Sequence, residues 1–301
     1  MQIEVKREGA VERKIIRVRG AVDLHCHSAP DLFPRLADDR ETIVAARDAG
    51  VRAMLLKCHH ESTVSRAYLL DQEMKGEIRV FGGIVLNRYV GGINPGAVEA
   101  ALRTGAKEVW MPTIDAEQHG KVYGKLGAYG TVQAGGRETG KGITVLEGGK
   151  LTDAILEVIE LVAQYDVILG TCHLSPMEIA MLVKEARARK VQRVLITHPY
   201  WIVPKLTLDD LKGLVKLGAK AEFGYCTVSP MWNYATVEQI KEAIKAIGAD
   251  NCVIMSDAGQ RHNPISHEAL RIFAQCLYEK GLTDGELMKL MVDNPRALLG
   301  I

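Results

Sequence analysis

Ala21-Val22-Asp23-Leu24-His25-Cys26-His27-Ser28 is a short apolar run that ends in two histidines two positions apart. On a β-strand, residues i and i+2 point to the same face. His25 and His27 therefore aim both imidazoles at one point just past the strand's end. Imidazole is the commonest metal-binding side chain, and two that converge make half of a first-row metal site. A surface turn holding two histidines would give the same short pattern, so the rest of the chain decides between the two readings.

Outward from this stretch a repeat sets in. Apolar runs with strand character begin near residues 21, 51, 78, 107, 166, 193, 219 and 251. Between them lie segments with helical spacing and end signals. Asn94-Pro95 opens one helix and Gly105 closes it; Ser175-Pro176-Met177-Glu178, Thr236 to Gln239 and Thr283 to Glu286 are capping boxes. Gly50, Gly218, Gly248 and Gly281 supply C-terminal stops. Strands alternating with helices at about 30-residue spacing mean βαβ units and a parallel sheet. Eight such units favour an α/β fold closed as a (β/α)8 TIM barrel over an open doubly wound sheet. The first strand is followed by no Gly-x-Gly-x-x-Gly, which counts against a dinucleotide fold.

The barrel is expected over residues 21–301, with residues 1–20 as a short N-terminal extension, possible as a hairpin around Gly9. One interval breaks the rhythm: the connection after strand 4 is long, and residues 115–150 hold ten glycines. No Lys-Ser/Thr follows in the P-loop position, so a mobile flap over the barrel mouth is preferred to a phosphate cradle. His119, Lys121, Tyr123 and Arg137 on that flap are then candidates for touching substrate.

The 301 residues are 47% apolar and 25% charged, with a net charge of +1. This near-neutral balance gives no sign of a nucleic-acid or membrane partner. No apolar stretch approaches the ~20 residues of a membrane span. The first residues lack the apolar core of a secretory signal, and the six cysteines are scattered without a Cys-x-x-Cys pair. They read as reduced thiols in a cytoplasmic protein. A homo-oligomer is expected.

In a (β/α)8 barrel the catalytic groups sit at the C-terminal ends of the strands. Strand 1 ends in His25 and His27, strand 2 in Lys57-Cys58-His59-His60, strand 5 in Cys172-His173, strand 6 in Thr197-His198 and strand 8 in Ser256-Asp257. Six of the nine histidines thus fall on one rim, a set of nitrogen and oxygen ligands suited to a metal. By strand alternation Lys57 and His59 share one face and Cys58 and His60 the other; Lys57 and His59 are expected to face the mouth. Cys26 and Cys172 alternate away from the ligands and read as small residues packed against the helices.

Taken together, these motifs resemble the amidohydrolase superfamily of metal-dependent hydrolases. Within it they resemble a branch that opens Asp-Leu-His-x-His-Ser-Ala-Pro-Asp and ends strand 2 in Lys-x-His-His. Asn294-Pro295-Arg296-Ala297-Leu298-Leu299-Gly300 is similar to the closing segment of many members. The resemblance implies metal ligation by His25, His27, His173, His198 and Asp257. It implies one or two divalent ions, with Zn²⁺ the expected metal. Binuclear members take a bridging carboxylated Lys or Glu from strand 4, whereas here strand 4 ends Trp110-Met111-Pro112-Thr113. Either the site holds one metal or Lys57 of strand 2 supplies the bridge. A lysine among metal ligands is costly when charged, so Lys57 would be carboxylated, neutral or paired with an anionic substrate. The plain alternative is a Lys57 that pairs with Asp257 or a flap carboxylate.

The reaction so implied is metal-assisted hydrolysis of a small amide, lactone or phosphoester. Asp257 would move the proton, His198 would serve as ligand or electrophile, and Lys57 would assist. Substrate contacts are expected from His59, His60, Arg88, Tyr123, Arg137 and Arg261, with Trp201 a further candidate for the pocket wall. A mononuclear decarboxylase or lyase on the same scaffold and a non-catalytic metal- or ligand-binding protein are the alternatives.

Overall fold

The computed structural model describes residues 14–130, 132–134 and 140–301. Arg137 and most of the expected N-terminal hairpin lie outside the described residues. Eight short parallel strands follow one another around one sheet. They are β1 (Val22–Cys26), β2 (Ala53–Leu56), β3 (Arg79–Val85), β4 (Glu108–Trp110), β5 (Ile168–Gly170), β6 (Arg193–Thr197), β7 (Lys220–Gly224) and β8 (Cys252–Met255). Each pairs in parallel with the next. A parallel bridge from Cys26 to Ala258 joins the last strand's end to the first. Two backbone bonds hold that seam: Asp257 N–H donates to the His25 carbonyl at 2.9 Å, and His27 N–H donates to the Ala258 carbonyl at 2.8 Å. The expected (β/α)8 barrel is what the chain forms.

One main helix follows each strand, and the end signals in the sequence do the work assigned to them. Ser175, Thr236 and Thr283 each cap a helix, accepting from the N–H three residues on, with Glu178, Gln239 and Glu286 closing the box. Asp38 and Thr207 make two further boxes. Each cap is worth about 1 kcal/mol against alanine. The helices turn apolar faces such as Ile155, Val158, Ile159 and Val162 onto the outside of the barrel. The β4–β5 connection carries a helix of its own (Glu117–Tyr123) and two small antiparallel pairs, Ala128–Tyr129 with Val132–Gln133 and Leu146–Glu147 with Lys150–Leu151. Among the described residues no helix is long and apolar enough to cross a membrane.

Inside the barrel a large ring fills the space that small residues leave. The Trp110 indole is fully buried, and a Cβ on Gly83 or Gly170 would lie 2.5 Å from its Cζ3 or 2.7 Å from its Cδ1. Gly170→Ala would also press Glu108 Oε1, at 2.5 Å. We expect this change to lower stability by about 1–3 kcal/mol, read as a fall in the urea midpoint; an unchanged midpoint would show that the barrel floor is loosely packed. Five of the six cysteines are buried. Burial pushes the Cys58, Cys172 and Cys252 thiols up to about 12, and a raised pKa keeps thiolate scarce below it. Iodoacetamide at about pH 8 should therefore label half-buried Cys276 alone in the native protein and all six thiols in urea.

Candidate metal centre

Barrel closure sets the position of Asp257. The seam bonds lay the end of β8 beside the end of β1, and Asp257 takes a left-handed backbone, φ +45°. Its Oδ1 lies 3.3 Å from His25 Nε2 and 3.4 Å from His27 Nε2. Gly259 completes the turn: its φ is +133°, and a Cβ there would sit 2.0 Å from the His27 carbonyl oxygen. Cys172 and His198, after β5 and β6, are also left-handed, at +46° and +32°. Non-glycine residues so held cost about 1–3 kcal/mol each and cluster at functional sites. The strain at Cys172 has a visible result. Its Sγ turns inward, 3.6 Å from Lys57 Nζ and 3.9 Å from Thr197 Oγ1, so the expectation that Cys172 packs outward against the helices is corrected.

His25, His27 and Asp257 each present one ligand atom within 4.8 Å of the others. For metal–ligand bonds of ~2.0–2.1 Å at tetrahedral angles, neighbouring donors stand roughly 3.3 Å apart. In donor type and spacing the group fits a divalent first-row ion. The hydrogen bonds of the two imidazoles place their protons differently. Arg35 Nη2 donates to His27 Nδ1 at 3.2 Å, and a guanidinium only donates, so the His27 proton is on Nε2. A metal bound at Nε2 would require that proton to move to Nδ1, which would end the Arg35 bond. Lys57 Nζ lies 3.0 Å from His25 Nε2, so the lysine head occupies the His25 lone pair. The His25 Nδ1 faces Glu222 Oε2 at 3.6 Å.

His173 and His198 line the same cavity but lie outside this tight group. Their rings are 5.1 Å apart, and His198 is 6.1 Å from the His25 ring. Among the described residues His198 Nδ1 is buried without a partner. Burial lowers its pKa to about 3, and also holds His25, His27, His59 and His173 well below the ordinary imidazole value. All five are neutral, as metal ligands must be. Burial pushes Asp257 up to about 7, against the pull of Lys57 and Arg35.

Beneath the group lies a polar floor that the sequence did not announce. Glu108 of β4 and Glu222 of β7 are fully buried, and none of their carboxyl oxygens has a hydrogen-bond partner among the described residues. Burial raises both carboxyls, with their mutual proximity adding to the effect at Glu108. Lys57, 1% exposed, sits among them and 5.4 Å from the Trp110 ring. Alternation on β4 places Glu108 two residues deeper than Trp110, below the level of the histidines. The clue was a single charged residue inside an otherwise apolar strand, as in Ala221-Glu222-Phe223.

The other residues singled out divide in two. His59 and Arg261 line the cavity; His59 stacks on His27 at 4.8 Å and bonds Thr113 Oγ1 at 2.9 Å. His60 faces the other way, 3.0 Å from Cys58 Sγ and 3.9 Å from Asp31, making a second His–Cys–Asp group away from the cavity. Arg88 pairs with Asp115, and Tyr123 bonds Tyr234; neither lines the cavity. Lys121 is exposed and pairs with Glu117.

His119, read as a substrate contact, instead stands behind His173. Its Nε2 lies 2.7 Å from the Ala128 carbonyl, which only accepts, so Nε2 carries the proton. Burial keeps His119 neutral, with a pKa of about 4. Its Nδ1 therefore accepts from His173 Nδ1–H at 2.8 Å, with the two rings stacked at 9°. His173 is thereby left with its lone pair on Nε2, the tautomer a ligand needs.

Solved structures with the same eight-stranded barrel fold match almost end to end. An amidohydrolase from Pseudomonas aeruginosa is 13% identical with a TM-score of 0.59, covering 93% of this chain and 95% of its own. A lactonase from Listeria monocytogenes is 14% identical at 0.57, covering 94% and 96%. A 2,6-dihydroxybenzoate decarboxylase from Rhizobium is 15% identical at 0.55, covering 94% and 99%. No curated protein matches the chain. Residues 20–222 match the model of a family of unknown function, DUF6282, and the chain belongs to that family.

The His119 relay is directly testable by ¹⁵N NMR of the imidazoles. His173 should read as the Nδ1–H tautomer in the wild type and in His119→Asn, which keeps an acceptor, and as a mixture in His119→Phe. A His173 unmoved by the Phe change would contradict the relay.

Proposed function

We propose that the chain is a metal-dependent hydrolase of small molecules, with a divalent ion, Zn²⁺ by its donor set, held by His25, His27 and Asp257. The observation that carries this reading is the placement of Asp257 Oδ1 at 3.3 and 3.4 Å from two imidazole Nε2 atoms at the barrel mouth. His173 supplies a further nitrogen donor from the end of β5. A zinc ion bound there would supply Lewis acidity and a water whose pKa falls to about 7.

The chain's own groups divide the remaining work. Asp257 meets both histidines through Oδ1, which leaves Oδ2 to take a proton from the attacking water and return it to the leaving group. His198, uncommitted by any hydrogen bond of its ring among the described residues, donates to the oxyanion that develops on the substrate. Lys57 Nζ holds the His25 Nε2 lone pair and must yield it to a bound ion. Arg35, tied to Asp31 at 2.7 Å, fixes His27 from the side for as long as His27 Nδ1 carries no proton. Phe33, Tyr129, Trp201 and Trp232 wall the cavity and keep bulk water from the reacting groups.

A second reading, a mononuclear decarboxylase, is favoured by one observation: the described residues gather a single three-donor group at the mouth, with no strand-4 bridge at its level. The two readings separate on isotope uptake. A hydrolase incorporates ¹⁸O from labelled water, whereas a decarboxylase releases CO₂ without it.

Metal analysis of the purified protein should find about one zinc per chain. Asp257→Asn should weaken zinc binding by at least about 10-fold, the lower end for losing even an outer-shell partner, and abolish turnover of the ester, lactone, amide and phosphoester panel. A metal-free wild type that turns over substrate, or an Asp257→Asn variant with unchanged metal and rate, would overturn the proposal.

A further inference from the structure

Aromatic residues are scarce in this chain, with 3 tryptophans, 9 tyrosines and 4 phenylalanines in 301 residues, yet all three tryptophans meet at one site. Trp201 and Trp232 line the cavity, and Trp110 lies under it, 6.2 Å from the His25 ring. Phe33 and Tyr129 complete the wall. The four lining rings come from four separate connections, after β1, β4, β6 and β7, so no local sequence constraint groups them. Nor do they collapse into a stack. Phe33 and Tyr129 meet at 57°, Tyr129 and Trp232 at 62°, Tyr129 and Trp201 at 89°, and Trp201 and Trp232 at 59°. With centroids 5.1–6.5 Å apart they pack edge to face on one another, and the surfaces they turn to the cavity suit a flat ring placed edge-to-face or offset against them.

The same cavity holds donors for an acid. Arg35 spends Nε and Nη2 on Asp31 and His27, while its Nη1 makes no hydrogen bond among the described residues. Arg261 lines the mouth, bonds only the Arg35 carbonyl through Nε, and has no carboxylate within 4.0 Å among the described residues. A planar guanidinium is the side chain best matched to a carboxylate. The cavity measures about 180 Å³, below the ~300–1,000 Å³ typical of drug-sized ligands, so a molecule with one ring is the right scale.

We propose that the site binds a small planar aromatic or heteroaromatic acid, its ring against Tyr129, Trp201 and Trp232 and its acid group on Arg261 and Arg35 Nη1. Only the word substrate rests on the hydrolase reading; the binding claim stands on the walls and the arginines. Saturated acids of equal charge lose the ring contacts, and neutral aromatics lose the guanidinium pair.

Calorimetric titration of the zinc-supplemented protein tests this with benzoate, cyclohexanecarboxylate and benzamide as probes. Benzoate should bind saturably, with each of the other two weaker by roughly tenfold or more. Trp232→Leu and Arg261→Gln should each weaken benzoate by a similar factor, and Arg261→Gln should leave benzamide unchanged. Equal binding of cyclohexanecarboxylate overturns the aromatic assignment, and equal binding of benzamide overturns the acid. The wild-type comparison decides both even where a variant fails to fold. Zinc content is measured on the same samples: a protein that loads zinc but ignores benzoate sinks this inference alone. A protein that binds benzoate but never loads zinc sinks the hydrolase reading alone.

Discussion

The hydrogen bond from Asp257 N–H to the His25 carbonyl, with its neighbour from His27 N–H to the Ala258 carbonyl, closes the barrel and builds the site in one act. Asp257 is 232 residues from His25 in sequence, and nothing local holds them together. Asp23 reinforces the seam from within, its carboxylate accepting from Ser256 N–H at 3.0 Å and His25 N–H at 3.3 Å. Any loosening of this contact would separate the carboxylate from both imidazoles at once. Barrel stability and ligand geometry are therefore a single quantity here.

Inside the barrel the chain accepts a large local penalty. A lysine and two glutamates lie fully buried beneath the histidines, in an interior that branched apolar residues normally fill. Isolated buried charges are costly, and Glu108 and Glu222 answer by holding their protons. What remains is a floor of one amine and two carboxyl groups directly under His25, which leaves no apolar packing for that ring to slide into. The aromatic wall above does the opposite work, excluding water from the same atoms. Polar floor, histidine rim and aromatic wall follow one another along the barrel axis.

Much of this was legible in the sequence, for reasons that differ by residue. The barrel could be read because the strands recur at about 30 residues and the helix ends carry their caps in the chain. His25 and His27 could be read because strand alternation links two residues without reference to the fold. Asp257 needed the strand count as well. Glu108 and Glu222 were missed because a charged residue in a strand normally faces solvent, and only closure turns these two inward. His119 was misplaced because it sits in a glycine-rich connection with no periodicity, where no rule tells substrate contact from support. Cys172 was misdirected because strand alternation fails where the backbone turns left-handed. The aromatic wall was seen only in part, since Phe33, Tyr129, Trp201 and Trp232 meet only through the folded loops.

Anomalous diffraction at the zinc edge, from crystals of the full chain grown with zinc, examines the whole account in one measurement. The account predicts a peak shared by His25, His27 and Asp257, with Arg35 turned off His27 Nδ1. An empty barrel mouth in zinc-replete crystals, or a peak confined to Asp31, Cys58 and His60, would contradict it.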